Sequence, residues 1–174
     1  MSRAGRAVRR LLDEAEDLPP DARQHELLGR AIALADEAGD TRAGYRARLR
    51  LIANCYHVGD NEAMLTAFAW CVAMNERDPR RHPAVLEDDD LHWYHKWMPP
   101  ALAAHPGIPR SDVEAALEHL DATYRAAGLG RSGALQTELE VRLQMGDLEG
   151  AGRARAELAH TPDDDYSDCE ACVA

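Results

Sequence analysis

Two thiols, Cys169 and Cys172, stand in the segment Ser167-Asp-Cys-Glu-Ala-Cys172 near the carboxyl end, separated by two residues. Thiolates at this spacing can share one Zn²⁺, and Cys169 and Cys172 are the metal-ligand candidates of the sequence. A closed tetrahedral site takes about four ligands, and the chain offers no second C-x-x-C and only His160 as a nearby imidazole. Thiol exchange and an inert tail or packing segment are the alternatives for the same pair. Apart from this zinc candidate, no cofactor is expected. A second cluster is Trp93-Tyr94-His95-Lys96-Trp97. Trp93 and Trp97 are four apart, hence neighbours on one helical stripe, with Tyr94 and His95 flanking the same arc. Indole and phenol rings join a large apolar area to one polar tip and recur as anchors in interfaces, so Trp93, Tyr94, His95 and Trp97 are the binding candidates. The competing reading is a central helix packed on both sides. His92 and His95, three apart, could chelate, but a wet position for His95 at the edge of the arc explains it as well. Lys96, the single lysine, falls off the arc and is expected at most on its rim.

The remaining motifs give less. Gly128-Leu-Gly-Arg-Ser-Gly133 spells G-x-G-x-x-G, yet a phosphate cradle of that type needs a preceding strand and a βαβ frame. Here it follows the helical pattern DATYRAAG, so the glycines read as the end of one helix and the start of the next. Cys55 and Cys71 fall on helix faces that pack within one hairpin and read as small core residues. The acid runs Glu87–Asp90 and Asp163–Asp165 lack the glycine and terminal glutamate of a calcium loop and read as solvated caps or tail. No H-E-x-x-H, G-x-S-x-G or P-loop occurs, and no Cys/His pair is placed for nucleophilic catalysis.

The elements that would carry these residues are helices. The pattern predicts about eight: roughly 2–17, ended by Pro19-Pro20; 21–38, with Leu27, Leu28, Ala31, Ala35 and Ala38 on one stripe; 41–58; 61–77, with Ala63, Ala67, Trp70, Cys71 and Met74 on one face; 88–100; one opened by a Ser111–Glu114 capping box and carrying Val113, Ala116, Leu117, Leu120 and Tyr124; one with Leu135, Leu139 and Leu143; and one with Leu148, Ala151, Ala154 and Leu158. Two prolines interrupt the chain at 78–83. Gly39-Asp40, Gly59-Asp60 and Gly146-Asp147 are three copies of one turn, and short turns force antiparallel neighbours. Repetition of helical hairpins is the signature of an α-solenoid. The expectation is therefore an all-α fold, about four hairpins over residues 1–160, followed by an acidic tail, 161–174, or the first part of a further unit.

Composition sets outer limits. In 174 residues the formal net charge is −11, with 45% apolar and 29% charged side chains, which excludes a disordered chain. The charge is uneven: residues 1–50 are near balance, while no basic residue follows Arg155. An acidic chain without a basic stripe is not expected to bind nucleic acid. No apolar run approaches the ~20 residues of a spanning helix, so no membrane partner is expected. The amino terminus has no signal-type apolar region, and the four cysteines read as reduced thiols of a cytoplasmic protein.

Leu51, Ile52, Gly59, Ala63, Phe68 and Pro79 fall at or near the apolar, turn-glycine and closing-proline positions of the tetratricopeptide repeat (TPR), which the segment from Leu49 to Pro79 resembles. Thr137 to Pro162 resembles a second copy through Leu139, Gly146, Ala151 and Pro162. More specifically, the chain is similar to TPR-like proteins of high-GC, actinobacterial-type bacteria that pair a WY-x-KW helix with a later SDC-x-x-C. The resemblance implies a repeat scaffold and assigns no activity. The function expected is thus a non-enzymatic scaffold for a protein or peptide partner. A zinc-binding regulator or sensor built on the C-x-x-C is one alternative, and a metal-assisted hydrolase another.

Overall fold

The computed structural model describes residues 3–87 and 89–167, with the side chains of Arg3 and Ala4 left aside. Among them the secondary structure is helical throughout, apart from one isolated antiparallel bridge, Val85 with Asp90. Nine helices follow one another: α1 Arg3–Glu16, α2 Ala22–Glu37, α3 Thr41–Val58, α4 Asn61–Arg77, α5 Leu91–His95, α6 Met98–Ala104, α7 Arg110–Ala127, α8 Ser132–Gln144 and α9 Leu148–Leu158. Among the described residues no helix is long and apolar enough to cross a membrane. The chain divides into two compact units, 1–94 and 95–174, where the sequence pattern reads one repeat domain over 1–160.

In the first unit α1, α2, α3 and α4 pack in succession, and α1 also touches α3. The reversals are visible in the contacts. Arg48 near the start of α3 pairs with Asp36 at the end of α2 at 2.7 Å, while Asn54 near the end of α3 meets His25 at the start of α2. Cys71 of α4 likewise lies against the Tyr45 carbonyl of α3. Each turn is made by the same chemistry. Gly39 and Gly59 adopt left-handed φ of 65° and 78°, open to glycine at no steric cost. The following aspartate then caps the next helix: Asp40 Oδ1 accepts from Ala43 N and Asp60 Oδ1 from Ala63 N. The core is the expected stripe of α2 (Leu27, Leu28, Ala31, Ala35) closed on Tyr45, Leu49, Ile52 and Met64; Ala38, expected on that stripe, is exposed at the helix end. The break at 78–90 is held down by Tyr45 Oη donating to Pro83 O at 2.9 Å and Asn75 Nδ2 donating to His82 O at 2.7 Å.

From α5 onward the structure departs from expectation in three places. The helix expected over 88–100 is two short ones, because Pro99 and Pro100 occupy the first turn of α6. A proline there gives up an N–H that has no helical acceptor anyway, so it opens a helix as readily as it stops one. The capping box does not form: α7 starts at Arg110 without a side-chain cap, and Ser111 Oγ bonds Asp112 instead. On α8 and α9 the expected Leu135, Ala151 and Ala154 are buried, but Leu143 and Leu148 are exposed, and Ala134, Thr137 and Val141 are buried instead. Two clusters form this core, Val113–Leu117–Val141 and Leu120–Tyr124–Ala134.

The segment at 163–167 keeps Asp163 and Asp165 exposed, as expected of an acidic tail, but is docked through Asp164 and Tyr166. Asp164 Oδ2 accepts from Ser132 N at 3.2 Å, capping the start of α8 from a distant part of the chain. The Tyr166 ring meets Tyr124 edge-on at 5.2 Å, and its carbonyl oxygen takes Lys96 Nζ at 2.7 Å. The glycines of the G-x-G-x-x-G segment make this docking possible. Gly128 ends α7 in the left-handed region, as expected; a methyl at Gly130 would fall on the Asp164 carboxylate and one at Gly133 on the Tyr166 carbonyl. The contrast predicts opposite signs for one substitution type. Gly133→Ala should displace the 163–167 segment and cost about 1–3 kcal/mol, the range for overpacking. Gly29→Ala, inside α2 with open space around the added methyl, should stabilise by about 0.5–1 kcal/mol. Denaturant melts of the two variants check both.

Candidate functional site

Cys169 and Cys172 lie outside the described residues. The aromatic cluster lies on and after α5. Trp93 and Trp97 are half-buried, whereas Tyr94 and His95 are only 6% exposed each, so of the four only the tryptophans offer surface. Tyr94 Oη donates to Asp89 Oδ1 at 2.9 Å, and the His95 ring lies 5.6 Å from that of His119. His95 is therefore not a wet edge residue. Lys96 is not a rim residue either: it is 4% exposed, with its ammonium on the Tyr166 carbonyl, a partner 70 positions away that helical periodicity cannot anticipate. The acid run before α5 divides by role. Asp90 caps the helix, accepting from His92 N at 2.8 Å, while Asp89 is buried beside Tyr94 with the Arg50 guanidinium 3.9 Å away. Burial, followed by the charge of Asp89, pushes the Tyr94 phenol well above its ordinary value.

The first unit carries a cleft of about 680 Å³ between α1, α3 and the residues Leu86, Glu87 and Asp89. Its walls bear Arg9 of α1 and Arg42, Arg46 and Arg50 of α3, facing Asp13, Asp40, Glu87 and Asp89. Asp40 is spent on the α3 cap, and Arg50 pairs with Glu16 at 3.1 Å and with Asp89. Arg9, Arg42 and Arg46 are exposed and form no ion pair with any described residue. The arginines of the second unit differ. The smaller hollow between α7 and α8, about 310 Å³, contains Arg131 and Arg142, and both are engaged: Arg131 with Asp121 and Glu157, Arg142 with Glu114, Glu138 and Asp147. Compared with known proteins, the chain matches no family model, no curated protein and no solved structure.

A third cluster was hidden from the sequence reading, which assigned Cys55 to the core. Cys55 is fully buried, as expected, but its Sγ lies 3.9 Å from His25 Nδ1, and Asp60 of the α3–α4 turn stands beside both. Behind them runs a polar chain. Gln24 Nε2 donates to the carbonyls of Ala15 and Leu18; Asn54 Nδ2 donates to Asp21 O and Gln24 Oε1; and Asn54 Oδ1 lies 3.2 Å from His25 Nδ1. No local motif marks this group, since His25 and Cys55 are thirty positions apart and meet only because the start of α2 lies against the end of α3. Burial, then the charge of Asp60, raises the Cys55 thiol from about 9 to about 12. Burial likewise pushes up Cys71, partly offset by Arg48. These are protonated, enclosed thiols, the opposite of an activated nucleophile.

A pH dependence follows from these shifts. Near pH 9 the Cys55 thiol of the unfolded chain loses its proton, while the folded protein retains it up to about 12. The folded state then binds more protons, so stability present below pH 9 should fall steadily across that window. Thermal melts from pH 8 to 11 should show a declining Tm, and Cys71→Ala, which removes one of the raised thiols, should flatten the decline.

Proposed function

We propose that this chain is a non-enzymatic interaction scaffold, an α-solenoid of the TPR type, that receives a protein or peptide segment rich in acidic side chains in the α1/α3 cleft. One observation supports this reading above the rest: three exposed arginines, Arg9, Arg42 and Arg46, line one cleft without ion-pair partners among the described residues. Guanidinium groups bind carboxylates in bidentate geometry, and Arg42 and Arg46, four apart on α3, offer two such forks on one stripe. Spare cations are notable in a chain of net charge −11, where carboxylates are plentiful. The two other carboxylates of the cleft, Asp13 and Glu87, limit the charge it can accept and would select against a uniformly acidic polymer. Trp93 of the first unit and Trp97 of the second, both half-buried, are each proposed separately as an apolar anchor for a partner, whereas Tyr94 and His95 are buried. The partner is sought in the cytoplasm.

The test replaces Arg46 with a photo-crosslinking residue and compares capture from the native lysate with that by Arg42→Glu/Arg46→Glu. A discrete partner should cross-link from position 46, and the double charge reversal should reduce its capture at least about tenfold, with helical circular dichroism unchanged, as for loss of close interfacial charge pairs. Capture by wild type should weaken as salt rises. Reversal of Arg10, exposed on α1 but outside the cleft lining, should leave capture intact. Equal capture by the double variant would remove the cleft from the proposal.

A further inference from the structure

We propose that His25, Cys55 and Asp60 form a binding site for a divalent transition-metal cation of the zinc class, at the corner where the start of α2 meets the α3–α4 turn. The proposal is independent of the arginine cleft and of Cys169 and Cys172. A ring nitrogen of His25, the Cys55 sulfur and a carboxylate oxygen of Asp60 all lie within 4.8 Å of one another. Around a tetrahedral Zn²⁺, with bonds of about 2.0–2.3 Å, ligand atoms stand roughly 3.3–3.8 Å apart. The Cys55–His25 separation of 3.9 Å is already near that spacing, and the Asp60 carboxylate oxygen lies within 4.8 Å of both.

The donor set decides the class of ion. One sulfur, one imidazole nitrogen and one carboxylate oxygen match the borderline-soft preference of zinc, whereas magnesium and calcium take oxygen ligands alone. Charge also balances. When the ion binds, the Cys55 S–H bond breaks and its proton leaves to solvent; thiolate and carboxylate then carry two negative charges against the two positive charges of the cation, with imidazole neutral. No electron is transferred. Cys55 is fully buried while His25 and Asp60 are half-exposed, so the sulfur forms the floor and the other two ligands the rim. A fourth position on the open side would be filled by water.

The surroundings hold these ligands in place. Asn54, 1% exposed and fixed by Asp21 O and Gln24 Oε1, meets the His25 ring at Nδ1, the nitrogen that also faces Cys55, so an ion bound at Nδ1 takes the place of the Asn54 contact and the ring proton moves to Nε2. Gln24 in turn is tied to two carbonyls of the α1 end. Asp60 is positioned separately, because one of its oxygens accepts the Ala63 N–H at 3.0 Å. The ligands therefore come from three different elements, and each is already restrained before any ion arrives.

Co²⁺, which reports a thiolate ligand through a near-ultraviolet charge-transfer band, is the probe. It is titrated into the whole chain carrying Cys169→Ser and Cys172→Ser, so that the C-x-x-C cannot supply the signal. One equivalent should bind with a thiolate band and tetrahedral visible bands, and Zn²⁺ should displace it. Adding Cys71→Ser should change nothing, whereas adding Cys55→Ser should abolish the band. Asp60→Asn keeps the capping oxygen for Ala63 and hence the helix content, but should weaken Co²⁺ binding at least about tenfold. Should Cys55→Ser fail to fold, Asp60→Asn and His25→Gln decide: weakened binding in both supports the site, and unchanged affinity in either overturns it. Absence of a thiolate band in the starting protein, or its survival in folded Cys55→Ser, also overturns the proposal.

Discussion

At Gly39-Asp40, Gly59-Asp60 and Gly146-Asp147 the chain reverses direction by one device. A glycine at φ 65–78° ends a helix, and the next residue, at φ near −85° and ψ near 76°, puts its carboxylate on an N–H three positions ahead. The aspartate N–H meanwhile closes back on the carbonyl five residues earlier, at 2.9, 3.0 and 2.8 Å. One dipeptide thus satisfies orphan groups of two helices at once, an acceptor behind and a donor ahead. Helix order, antiparallel pairing and the closeness of distant residues all follow from corners this tight. At Asp147 the Gly150 N–H, reinforced by Arg110 and Arg142, holds the carboxyl below its ordinary range, so the same group is a cap and an ion-pair centre.

What periodicity encodes, the sequence discloses well. The bounds of α2, α3 and α4, the stripe Leu27–Leu28–Ala31–Ala35 and the end of α7 at Gly128 are local properties, set by repeating apolar positions and by glycine. The failures have a common physical origin. Lys96 and Asp164 look solvent-bound because charge on a helix edge or in an acidic run usually is, yet each is claimed by a partner dozens of positions away. Pro99-Pro100 is ambiguous in principle, since proline suits a first turn as well as a terminus. Candidate sites were the least legible part. Sequence spacing can flag a C-x-x-C or an aromatic run, but the His25–Cys55–Asp60 convergence and the gathering of Arg9, Arg42 and Arg46 on one cleft exist only after the helices are stacked.

The two units treat their charges differently, and this separates their chemistry. In the second, Arg110, Arg131 and Arg142 are engaged by intramolecular carboxylates across α7, α8 and α9, a network that fastens helices to one another. In the first, Arg48 and Arg50 are used in that way, Arg48 also lying 4.0 Å over the Trp70 ring, while Arg9, Arg42 and Arg46 on the α1/α3 cleft have no ion-pair partner among the described residues. Exposed ion pairs contribute little to stability in either case. The informative difference is which charges remain to be satisfied by something else.

The burial of Lys96 has a chemical consequence beyond packing. It is the only lysine in the sequence, and its ammonium is enclosed against the Tyr166 carbonyl. The folded chain therefore presents its surroundings with guanidinium cations and no accessible side-chain amine. Acylation, reductive alkylation and isopeptide ligation all need a free, deprotonated amine, and guanidinium cannot supply one. While the 163–167 segment stays docked, lysine-directed modification has no substrate on this fold, and its reaction at Lys96 becomes a direct readout of that segment letting go.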